Sequence, residues 1–286
     1  MSFDYAAAVA SAASQVDMNK ASTGGGEGYQ PPAKGMTRLR FVGYIECGKH
    51  KDEWQGQVKI KEKVKLIFEL SGPKHPPREV DGKKIPHRLT IHENLSLNEK
   101  AWFYKIFKAM NYAGEATHIA QLLGQEFLGE VIHKTSKKGN VYPTLKGDAG
   151  YTIRAPYVED PETGETRKVP AGPQLSEIRC FLWDFASKEM WDSIYIEGQY
   201  DEERDSEGNV VRAAKSKNVF QDQIRAAVNF AGSPIDEILS GGALGFGEEA
   251  SPGEEVSAPQ QSPEATSPAE EPAAETDEDD PLVGVS

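Results

Sequence analysis

Four lysines, Lys59, Lys61, Lys63 and Lys65, recur at every second position of residues 58–70. Extended backbone sends alternate side chains to one face, about 7 Å apart, so this run places four cations on one side of a strand. Other cations stand beside aromatic rings. Lys49 and Lys51 precede Trp54, Arg38 and Arg40 precede Phe41 and Tyr44 on the first strand, and Lys134, Lys137 and Lys138 precede Tyr142. Cations track phosphates, and exposed rings stack on unpaired bases at about 1–3 kcal/mol each. Duplex DNA is read through its grooves and does not need exposed rings. The pattern therefore points to single-stranded nucleic acid. The bland alternative is a solvated face or a lysine-guarded sheet edge. Trp54, between Glu53 and Gln55 in a polar stretch read as a loop, suits either stacking or core packing.

Other chemistries find no pattern. His50, His75, His87, His92, His118 and His133 include no pair beside a cysteine at zinc spacing, and no HExxH occurs. There is no GxSxG and no Walker lysine loop, and Gly24-Gly25-Gly26 lacks the strand-to-helix setting of a phosphate cradle. No catalytic residue, metal or cofactor is expected, and the chain reads as non-enzymatic. Cys47 and Cys180 read as buried thiols in a reducing compartment. No run of 18 apolar residues exists, so no membrane association is expected and the expected place is the cytoplasm.

The elements that must position these residues emerge from periodicity. Residues 38–48 alternate, with Leu39, Phe41, Gly43, Ile45 and Cys47 on one face and Arg38, Arg40, Val42, Tyr44 and Glu46 on the other. Residues 58–70 and 87–96 read as a second and third strand. Residues 97–112 switch to helical spacing through Trp102, Phe103, Ile106, Phe107 and Met110, with Ser96 or Asn98 as cap. A short helix over 117–123 comes next, then a hairpin of 126–135 with 140–146. Three strands, a helix and two strands is the order of an OB-like five-stranded Greek-key barrel. Further strands over 151–157 and 177–185 and a helix over 219–230 read as a β/α extension packed on that barrel.

The net charge of -13 hides a segregation. Residues 34–147 hold twenty-one Lys and Arg against twelve Asp and Glu, a net of +9, whereas residues 236–286 hold fourteen acids and no Lys or Arg. The second segment is rich in Gly, Pro, Ser, Ala and Glu and cannot bury enough apolar area to order itself. It ends in Asp277, Glu278, Asp279 and Asp280 followed by Pro281, Leu282 and Val283, which reads as a partner-binding tip. The expected organisation is a flexible arm (1–34), a mainly β nucleic-acid-binding barrel (35–147), the extension (148–235) and a disordered acidic tail (236–286).

Three stretches resemble phage-encoded single-stranded DNA-binding proteins. One is Arg40-Phe41-Val42-Gly43-Tyr44-Ile45-Glu46-Cys47-Gly48 with the strand at 65–70. The second is 122–134 running on to Gly139-Asn140-Val141-Tyr142. The third is the acidic tail with an apolar tip, although it ends in Gly-Val-Ser rather than an aromatic. The resemblance implies a protein of the host cytoplasm that coats single-stranded DNA in replication, recombination and repair and recruits replication or recombination proteins through its tail. Oligomerisation stays open. So do two alternatives, a protein-interaction or virion component and an RNA-binding regulator.

Overall fold

The computed structural model describes residues 31–241 apart from 55, 81, 137, 138 and 206. Most of the flexible arm, residues 1–30, Lys137 and Lys138, and the tail with Asp277 to Val283 lie outside the described residues.

In chain order the first strands are β1 (Gly35–Trp54), β2 (Gln57–Ser71), the short hairpin β3 (Arg78–Val80) and β4 (Lys83–Ile85), and β5 (His87–Asn94). Helix α1 (Trp102–Met110) and a 3-10 turn (Ile119–Leu122) separate these from β6 (Glu126–Thr135) and β7 (Val141–Thr144). The main sheet runs β5-β2-β1-β6-β7, and its neighbours pair antiparallel. The strand order agrees with the reading from periodicity, but the barrel expected from it does not close. β5 and β7 remain edges with no ladder between them. β7 has only four residues and contains Pro143, which lacks an N–H and belongs at sheet edges. Side chains span the gap instead. Glu93 on β5 accepts a hydrogen bond from the Tyr151 hydroxyl at 2.7 Å and lies 3.5 Å from the Lys146 ammonium.

A bulge decides which side chains enter the core. The β1–β2 register shifts between Phe41 and Gly43, and one extra residue reverses the facing of the residues beyond it. Tyr44 therefore turns inward with Leu39 and Phe41, rather than outward with Arg38 and Arg40 as alternation suggests. These three pack with Leu66, Phe68, Ile106, Met110 and Phe127. Val42, Ile45 and Cys47 face the other way, where they meet Ile67 in a second core. Both faces of β2 are thus buried over residues 64–70.

The second core is covered from far along the chain. The exposed hairpin β8 (Tyr157–Glu159) and β9 (Thr166–Lys168) comes first, and the strand expected over 151–157 is reduced to single bridges at Tyr151 and Arg154. Then β10 (Arg179–Phe181) adds to β1 in parallel, with Arg179 opposite Gly43 and Phe181 opposite Ile45. Helix α2 (Lys188–Ser193) contributes Trp191. Two small hairpins come after it, β11 (Gln199–Tyr200) with β14 (Lys215–Ser216) and β12 (Glu203–Arg204) with β13 (Val210–Arg212). Helix α3 (Val219–Arg225) contributes Phe220 and Ile224, and α4 (Pro234–Leu239) contributes Ile235. Each such side chain, fully buried, contributes about 1.5–3 kcal/mol.

Two boundaries differ from expectation. The helix read over 97–112 begins only at Trp102, because Asn98 Oδ1 accepts the Lys100 N–H and closes a turn before it. Its inward stripe is Phe103, Ile106 and Met110. Of the stretch 49–57, read as a loop, residues 49–54 and 57 are instead strand: β1 and β2 stay paired out to Trp54 opposite Gln57. β2 meets β5 only from Lys63 onward, so the outer part is a two-stranded ribbon beyond the body. Val58 and Ile60 are exposed on it. No helix among the described residues is long and apolar enough to cross a membrane.

Candidate nucleic-acid interface

Strand period holds for the lysine row. Lys59 lies opposite Asp52, Lys61 opposite His50 and Lys63 opposite Gly48, all on one face. Asp52 holds the row together, 2.7 Å from the Lys63 ammonium and 3.9 Å from that of Lys61. Exposure falls toward the body, from 33% for the Lys61 side chain to 13% for Lys63, and Lys65 is only 6% exposed. Lys65 is covered because Phe220 of α3 lies over it, with the ammonium 5.6 Å from the ring centre. It belongs to the row but not to its open surface.

Several residues that the sequence groups with this row lie elsewhere. Lys51 is opposite Ile60 and Lys49 opposite Glu62, on the other face of the ribbon, and Lys49 pairs with Glu62 at 3.6 Å. Trp54 ends β1 at the ribbon tip. Tyr44 is fully buried; its hydroxyl donates to Glu46 at 2.8 Å, while the other Glu46 oxygen accepts the Trp183 N–H at 2.7 Å. Burial, then the Glu46 carboxylate, push its phenol pKa far above the usual value. A ring with no exposed face cannot stack on a base, so a stacking role for Tyr44 is corrected to a core role.

Arg40 is likewise tied inside the protein. Its guanidinium donates to the carbonyls of Gly124 at 2.9 Å and Gly172 at 3.0 Å and to Glu126 at 2.9 Å. Burial alone would raise the Glu126 pKa, but Lys168 and Arg40 hold it below its ordinary value. Arg38 is half-buried at the start of β1. Lys134 lies opposite Tyr142 and 3.9 Å from Asp148. That hairpin adjoins the beginning of β1, where Gly35 meets Val131, whereas the ribbon is the end of β1. The structure therefore sets the two basic–aromatic groups at opposite ends of one strand.

Other cations join the lysine face. On that side of β2, Lys65 is opposite His92, Ile67 opposite Thr90 and Glu69 opposite Arg88. Across β1, Arg179 of β10 stands level with Gly43 and Ile67. The Arg179 guanidinium carbon is 6.0 Å from the centre of the same Phe220 ring that covers Lys65. Burial, then the nearby Arg179 charge, lower the Arg88 pKa, and burial lowers that of Arg179. Glu69, the nearest acid on β2, is already bound to the N–H groups of Leu175 and Ser176 at 3.1 and 2.6 Å.

Sequence reading missed Arg88, Arg179 and Phe220. The period Arg88, Thr90, His92 was available within the third strand. Arg179 was not, because its neighbours arrive through a parallel pairing with residues far earlier in the chain.

Neither cysteine forms a disulfide; burial, then Glu46, push the Cys180 thiol pKa up. Among the described residues no group of three His, Cys, Asp or Glu is placed to hold a metal ion. Comparison with protein-family models, curated proteins and solved structures returned no match.

Proposed function

We propose that the chain is a non-catalytic single-stranded DNA-binding protein whose contact face is the lysine side of the β2 ribbon over residues 59–63 together with the outer side of β5. The observation that carries the reading is the row Lys59, Lys61 and Lys63 at strand period, continuing on the same face toward Arg88 and Arg179. Asp52 pairs with Lys61 and Lys63 in its open part. Cations spaced about 7 Å apart along a strand suit successive phosphates of an extended chain. The order β5-β2-β1-β6-β7, with α1 between β5 and β6, supports the finer OB-like reading in an open form.

On this reading the protein coats exposed strands in phage replication, recombination and repair, in the host cytoplasm. The acidic segment 236–286 recruits partner proteins and competes for the basic face. Removing 241–286 then tightens DNA binding.

The test is fluorescence anisotropy of labelled oligo-dT, with duplex DNA and oligo-U of equal length as competitors. Tighter binding to oligo-dT than to either supports the proposal. No binding at low salt, even with the tail removed, contradicts it. Preference for oligo-U would move the assignment to RNA.

A further inference from the structure

We propose that Arg88 and Arg179 form a clamp for one phosphoryl group, so that the C-terminal part of the chain supplies half of an anchoring subsite. This inference rests on the single-strand reading and adds a ligand position to it. Arg88 comes from β5 and Arg179 from β10, two strands that flank the β2–β1 pair; Arg179 is level with Gly43, Ile67 and Thr90, and Arg88, two residues before Thr90 and opposite Glu69, lies on the same face. Each is half-buried, and each charge is disfavoured by its surroundings.

Among the described residues no carboxylate lies within ion-pair distance of either guanidinium. Glu69 faces Arg88 but is bound to backbone N–H groups. Ser176, whose N–H binds Glu69, has a buried hydroxyl oxygen with no partner. Glu177 favours the Arg179 charge and Glu69 that of Arg88, neither from ion-pair distance, and two half-dry cations without a direct ion pair are stabilised by an anion that joins them. A guanidinium fork matches a phosphate oxygen pair, and the half-buried outer positions His92 and Thr90 of β5 lie between the lysine row and Arg88 on this face. The Phe220 ring beneath Arg179 keeps that side chain over the sheet.

The experiment uses the full chain, Arg88→Gln, Arg179→Gln and, to keep the charge while losing the fork, Arg179→Lys. Two readouts are taken. The first is the melting temperature in inorganic phosphate against chloride at equal ionic strength. The second is affinity for oligo-dT lacking a terminal phosphate.

The clamp predicts that phosphate protects the wild type more than either glutamine variant. It also predicts that each glutamine variant binds oligo-dT about tenfold more weakly, with Arg179→Lys in between. Without phosphate the glutamine variants melt at or above the wild-type temperature, because a repulsion is relieved; a purely structural pair would melt lower. Arginine-dependent phosphate protection without any oligo-dT binding supports the clamp and removes the single-strand reading. Oligo-dT binding that is equal in wild type and variants, with no arginine-dependent protection, overturns the clamp and leaves the single-strand reading standing.

Discussion

The Asp52 carboxylate lies 2.7 Å from the Lys63 ammonium. It offsets the charges of Lys61 and Lys63 and joins β1 to β2 where the ribbon leaves the body. Asp52→Asn removes that acid while keeping its shape. Oligo-dT affinity should rise, with a steeper loss on adding salt. Stability should fall by roughly 0.5–1 kcal/mol, as for a partly exposed ion pair. Paired DNA titrations at two salt concentrations and a urea melt check both halves.

Gly43 lies where both cores press on the sheet. A β-carbon there would meet the Ile67 side chain at 2.6 Å. Gly43→Ala should lower unfolding free energy by about 1–3 kcal/mol, the cost of overpacking. Chemical denaturation measures this, and an unchanged midpoint would mean the second core is looser than described.

Tyr44→Phe separates a core role from a DNA role. The variant loses the hydrogen bond to Glu46 and should lose about 1.5–3 kcal/mol of stability, the range for a bond to a charged group. Its oligo-dT affinity should match the wild type. A marked drop in affinity at unchanged stability would return Tyr44 to the interface.

Glu126 sets an acid limb. Its folded pKa is held below the ordinary 4.5 by Lys168 and Arg40 acting against burial. A depressed carboxyl contributes stability that is present above its unfolded pKa and is lost as pH falls through the folded one. Stability should therefore decline below about pH 4.5, and Glu126→Gln should flatten that limb while lowering stability at neutral pH. Melting temperatures from pH 3 to pH 7, for both proteins, provide the check.

The order of strands was legible because 58–70, 87–96 and 126–135 each read as one extended segment, and each supplies one strand of the main sheet. The phase of the first strand was not. A bulge at Phe41–Gly43 adds one residue, and nothing in an alternating pattern marks where an extra residue will sit. That slip is why Tyr44 reads as an outward ring. The ribbon was hidden because Lys49 to Gln57 is polar, and polar stretches read as loops even when backbone pairing continues. Lys49 and Lys51 consequently seemed part of the row that their pairing sets them against. Closure was not legible either, since strand count and order are shared by open and closed sheets. Arg179 is the clearest limit: its position over Gly43 depends on one short parallel pairing that no local pattern announces.

The most direct measurement compares the two faces of the ribbon. Oligo-dT affinity is followed against salt for the wild type, for Lys61→Ala with Lys63→Ala, and for Lys49→Ala with Lys51→Ala. The account predicts a linear fall of log affinity with log salt in the wild type. The Lys61/Lys63 variant should bind more weakly and shift that slope toward zero by about 0.7 per lost phosphate contact, while the Lys49/Lys51 variant keeps the wild-type slope. The reverse pattern, or equal slopes in all three proteins, would contradict the assignment of the lysine side of the ribbon as the one that meets DNA.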